Sequence, residues 1–159
     1  MTISFIRPPR DDPPFCWLFE SPSQKIGVHL SKGWCASIRE EAPIYFVTED
    51  KCIGLFILLD LNKAELRTFL SEAACNAPQY GESIRSLPIS LMLKSIFRTS
   101  YSDYWPAKAL DWLEDAPELL PAFVDELEYM VSHKVMSQAL RHRARRMLRS
   151  VAPRELAPH

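Results

Sequence analysis

Two tryptophans seven residues apart, Trp105 and Trp112, constrain this chain more than any other feature, because residues 101–115 bury both on one side only as a helix. Asp103 stands where a side chain can accept from the free N–H groups of a first turn. Pro106 then takes the third helical position, where a missing donor costs nothing. Trp105, Ala109, Trp112 and Leu113 recur at spacings of four, three and one and form an apolar stripe. Lys108, Asp111, Glu114 and Asp115 fall on the other side. The expectation is a packing helix with an acidic back.

Upstream the pattern differs. Residues 2–6 form a short β-prone run ended by Pro8 and Pro9, and residues 15–19, 26–30 and 34–38 are similar runs separated by Ser-Pro-Ser and Ser-Lys-Gly turns. Residues 44–48 and 52–59 flank Glu49, Asp50 and Lys51, which predicts a hairpin whose second strand is buried on both faces because it does not alternate. Asn62 followed by Glu65 has capping-box spacing and opens a helix to about Asn76. Ser86 and Pro88 open another, with Ile89, Met92, Leu93, Ile96 and Phe97 on one face. Pro117 and Pro121 interrupt the chain after the tryptophan helix. Two further helices carry Leu120 to Val131 and Val135 to Val151. The whole reads as one α+β domain over 1–159: mainly strand and turn over 1–60, an antiparallel helical bundle of stacked hairpins over 62–152, and a loose tail over 153–159.

A chain of 159 residues, 47% hydrophobic, can bury a proper core without staples. Cys16, Cys35, Cys52 and Cys75 never pair as CxxC, and no export signal is legible, so buried free thiols in a cytoplasmic protein are expected. The longest uncharged apolar run, residues 53–59, is far short of a membrane span. Four glycines cannot write a GxGxxG or GxxxxGK[ST] loop, which excludes nucleotide-binding enzymes of those classes. His29, His133, His142 and His159 are scattered from the cysteines and from any triad partner, so neither a metal site nor a cofactor nor catalysis is expected.

Charge sets the C-terminal half apart. From Asp103 to Glu128 there are eight acids (Asp103, Asp111, Glu114, Asp115, Glu118, Asp125, Glu126 and Glu128) against Lys108, and from Lys134 to Arg154 seven bases and no acid. Arginines 141, 143, 145, 146 and 149 could neutralise phosphates, which makes a nucleic-acid-binding adaptor the alternative reading. The preferred reading pairs them with the acids of the preceding helix and with their own helix dipole. The unmatched surface is then acidic, suited to a basic partner reached by long-range attraction.

Residues 104–114, Tyr-Trp-Pro-Ala-Lys-Ala-Leu-Asp-Trp-Leu-Glu, preceded by the helix of Ile89 to Phe97 and a Thr99–Ser100 turn, resemble the helical hairpin of small bacterial immunity-type proteins, the cognate inhibitors encoded beside secreted polymorphic toxins. The likeness covers residues 86–115. It implies a non-catalytic cytoplasmic protein that binds and neutralises one toxin or effector domain, and it transfers no contact residue. The charge pattern assigns that partner's contacts to Asp111, Glu114, Asp115 and Glu118.

Overall fold

The computed structural model describes residues 2–39 and 41–155 and is α+β: a five-stranded antiparallel sheet followed by helices. The chain forms two compact units, Met1–Met92 and Leu93–His159.

In the first unit, β1 (Ser4–Asp12), β2 (Phe15–Glu20), β3 (Gln24–His29), β4 (Gly33–Ile38) and β5 (Ile44–Tyr45) pair in sequence order as a meander. Three of the expected strands stand where the pattern puts them. The first does not end at Pro8 and Pro9. It runs through both, because β1 is an edge strand and its register against β2 shifts between Phe5 and Arg10, so the two residues without N–H groups remove no ladder bond that the sheet requires. Gly27 of β3 lies beside Trp17 of β2, where a Cβ would run into the Cys16 carbonyl oxygen.

The expected hairpin over 44–59 is absent. Residues Glu49–Asp60 form a 3-10 helix that buries Cys52, Leu55, Phe56, Leu58 and Leu59. Four of these, 52, 55, 56 and 59, keep helical spacing, and Ile53 is turned outward at 59% exposure, which a strand buried on both faces would not allow. Glu49 and Asp50 sit in its first turn, where the exposed N–H groups favour negative charge.

Helix α1 (Lys63–Asn76) begins as read, with Asn62 Oδ1 accepting from the Glu65 N–H at 2.9 Å. Its Phe69 packs against Phe5 and Phe19, ring centroids 4.7 and 5.5 Å apart, and thereby covers the first two strands. A short helix that the pattern did not reveal, α2 (Gly81–Arg85), is tied to β4 by the Trp34 indole N–H, which donates to the Ser83 carbonyl at 2.8 Å. Tyr80 is buried with its hydroxyl 3.1 Å from Asp11 Oδ1 and from the Phe15 carbonyl. Burial first, and the Asp11 acceptor second, push its pKa up to about 12.

Helix α3 (Ile89–Thr99) contains the boundary between the units. The second unit continues through α4 (Tyr104–Asp115), a 3-10 segment (Pro117–Phe123), α5 (Val124–Ser132) and α6 (Gln138–Glu155). The tail expected to be loose from Pro153 is still helical to Glu155, and 156–159 lie outside the described residues. Ala109, Leu110, Trp112 and Leu113 of α4 are buried, whereas Trp105 is half-buried against Tyr104.

Asp103 does not cap α4. Its backbone is already in the αR region (φ −75°, ψ −18°), whereas a capping side chain reaches back only from an extended residue. The carboxylate instead accepts from the Ser137 N–H at 2.9 Å, and the Ser137 hydroxyl oxygen accepts from the Leu140 N–H at 3.2 Å. Asp103 therefore fixes the start of α6.

Candidate functional site

The eight acids between Asp103 and Glu128 differ in their exposure and in the partners that the fold gives them. Asp103 holds the start of α6. Glu126 is 4% exposed and binds the Arg98 guanidinium at 3.0 Å, with its second oxygen unpartnered. Asp111 and Glu114, one turn apart on α4, converge on Arg143 of α6, at 2.7 and 2.9 Å, and the same guanidinium approaches the Ala107 carbonyl at 3.5 Å. Burial works against the charge on Arg143. The bonds from Glu114 and Asp111 outweigh it and raise the pKa, so this cation is fixed between two carboxylates.

Two of the four expected contact residues, Asp111 and Glu114, are thus brought together, but around a cation of the same chain. The other two, Asp115 and Glu118, are exposed where α4 gives way to the 3-10 segment. Asp125 and Glu128, three apart on the outer side of α5, are exposed as well. Asp111 and Glu114 are exposed too, so the acids presented outward run from 111 to 128 and include all four of the expected contact residues.

The expected pairing of the α6 arginines with the preceding helix is corrected. Arg143 pairs, and with α4. Among the described residues, no carboxylate pairs with Arg145, Arg146 or Arg149, although α5 lies directly against α6. The reason is the angle at which each side chain leaves the helix: Leu140, Ala144 and Met147 occupy the buried side of α6, Arg143 its shoulder, and Arg145, Arg146 and Arg149 the opposite side. That row was available in the sequence as the spacing 142, 145, 146, 149.

Elsewhere, the thiols of Cys16, Cys35 and Cys52 are buried and free, and burial pushes their pKa values up to about 11, 12 and 11, so they stay protonated and poorly nucleophilic at neutral pH. Cys75, expected to be buried, is exposed. His29 uses Nδ1 to accept from the Ser31 and Lys32 N–H groups at 3.0 and 3.1 Å, a turn-closing role. A cavity of about 480 Å³ beside it is walled partly by Trp34, Glu82, Ser83 and Ser86, but the Trp34 indole, both serine hydroxyls and the Ser83 carbonyl already bond within the unit. A second concavity, of about 540 Å³, lies under Ile44, Tyr45 and Val47 with Lys32 and Lys51 at its edge. Among the described residues, no group of three or more His, Cys, Asp or Glu side chains is placed to hold a metal ion, and no helix is long and apolar enough to cross a membrane.

No family model, no curated protein and no solved structure matches the chain.

Proposed function

We propose that this chain is a non-catalytic, cytoplasmic binding protein of the immunity type, which docks the basic domain of a cognate toxin on the acidic face of its second unit and thereby neutralises it. The observation that carries this reading is the exposed run of carboxylates over 115–128, Asp115, Glu118, Asp125 and Glu128, on segments whose apolar sides, Leu113, Leu120, Phe123, Leu127 and Met130, are committed to the core. Carboxylates so placed add little to the fold, because exposed charges contribute at most about 1 kcal/mol each. What they add is a negative field that steers a basic partner into contact. Asp111 and Glu114 serve this surface indirectly, by holding α6 against α4 through Arg143.

The test begins with the reading frame beside this one. Its product, expressed in cells, should arrest growth, and co-expression of this chain should restore it. Reversal of Glu118, Asp125 and Glu128 to lysine should slow association with that product at least tenfold and flatten its salt dependence while the thermal transition is retained. A neighbouring product that neither inhibits growth nor binds would overturn the immunity reading. A product that binds the reversed variant at an unchanged rate would move the contact off the acidic face.

A further inference from the structure

Helix α6 carries a row of basic side chains, and among the described residues no carboxylate pairs with its arginines. His142, Arg145, Arg146 and Arg149 fall within an arc of about 100° at 3.6 residues per turn, and their side chains line one shallow depression of about 270 Å³. Leu140, Ala144, Met147 and Val151 are buried on the far side of the helix, so the row faces away from its packing surface. Arg143 lies off the row and is held by α4. Arg141 borders it, with its Nε buried and lacking an acceptor among the described residues.

We propose that this face of α6 binds the sugar–phosphate backbone of nucleic acid. The proposal is separate from the toxin-binding reading and does not depend on it. Three observations select phosphate. The row is built from arginine and histidine without lysine, and the guanidinium fork matches phosphate oxygens in pairs. From His142 to Arg149 the helix rises about 10 Å, while a duplex carries one phosphate charge per about 1.7 Å of axis, so several phosphates come within reach at once.

The third observation is what the face lacks. Through Val151, none of the large apolar side chains of α6 is among the exposed ones. An anionic membrane needs apolar side chains to enter it. A nucleic-acid backbone is bound through charge alone.

The experiment is an anisotropy titration of the whole chain against a short fluorescein-labelled DNA duplex, with salt raised from about 50 to 200 mM. Three phosphate contacts give a log–log slope of about −2.7, a loss of roughly 40-fold over that range. The triple variant Arg145→Gln, Arg146→Gln, Arg149→Gln should bind at least tenfold more weakly at the lower salt and lose most of the slope, while the corresponding triple lysine variant keeps the slope. Should the glutamine variant lose its thermal transition, Arg149→Gln alone is measured, with the slope expected to fall by about one unit. Duplex binding that is absent, insensitive to salt or unchanged in the glutamine variants overturns the proposal. So does competition by poly-glutamate as effective, charge for charge, as by the unlabelled duplex, which would assign the face to an acidic protein. Equal retention on phosphatidylserine vesicles would assign it to a membrane and overturn the proposal as well.

Discussion

Replacing Arg143 by alanine tests an electrostatic junction between α4 and α6. The guanidinium reaches Asp111 Oδ1 at 2.7 Å and Glu114 Oε1 at 2.9 Å, with Nε at 3.3 Å from the same glutamate oxygen. Both carboxylates are more than half exposed, at 64% and 52%, so water screens each pair and each is worth about 0.3–0.5 kcal/mol. The arginine itself is only 22% exposed, and truncation also removes the packing of its stem, which brings the expected loss to about 1.5 kcal/mol. For a chain of this length that is a fall in Tm of roughly 3–6 °C. Arg146→Ala, three residues along and exposed, should change stability by no more than about 0.5 kcal/mol. Denaturant titration of the two variants gives the contrast, and a double-mutant cycle with Glu114→Gln should return a coupling of about 0.3–1 kcal/mol that shrinks at high salt. Equal effects of Arg143→Ala and Arg146→Ala, with no coupling, would refute the junction.

Trp112→Ala truncates a buried indole and should destabilise the protein by about 3–5 kcal/mol, and an unchanged denaturant midpoint would show that Trp112 is a surface residue. At pH 8 a thiol-specific reagent should modify Cys75 rapidly and Cys16, Cys35 and Cys52 only after unfolding, since burial keeps those three protonated up to about pH 11; rapid reaction of all four in the native state would contradict the packing of β2, β4 and the 3-10 helix.

What could be read from the chain follows from which forces act locally. The cap at Asn62 was legible because donor and acceptor lie three residues apart, and the middle strands because turn residues bound each short run. Residues 52–59 misled because an unbroken apolar run hides its period, and the outward position of Ile53 becomes visible only once the burial is known. Pro8 and Pro9 read as a stop because a sequence does not say that its strand lies at an edge. Asp103 has the residue type of a cap but not the backbone angles, which depend on Ser137, far along the chain. Of the functional surfaces, the number of charges was legible and their partners were not: Arg143 finds Asp111 across 32 residues, and nothing local distinguishes it from Arg145.

That selection among arginines shows which interaction governs the second unit. If charge pairing set the packing of α6, its cations would turn toward the carboxylates of α5, the helix directly against it, and the unit would be close to neutral on every side. Each apolar side chain buried between helices contributes about 1.5–3 kcal/mol, while an exposed ion pair contributes at most about 1. Leu127 and Met130 of α5 and Leu140, Ala144 and Met147 of α6 therefore decide the rotation of both helices, and the charges go where that rotation carries them. One arginine, on the shoulder of α6, meets α4. The exposed carboxylates over 111–128 and the arginines over 145–149 are left as charged surface. Because neither group determines the packing, each can be altered without undoing the other. The lysine reversal at Glu118, Asp125 and Glu128 and the glutamine substitutions at Arg145, Arg146 and Arg149 thus change different charged surfaces of the same folded unit.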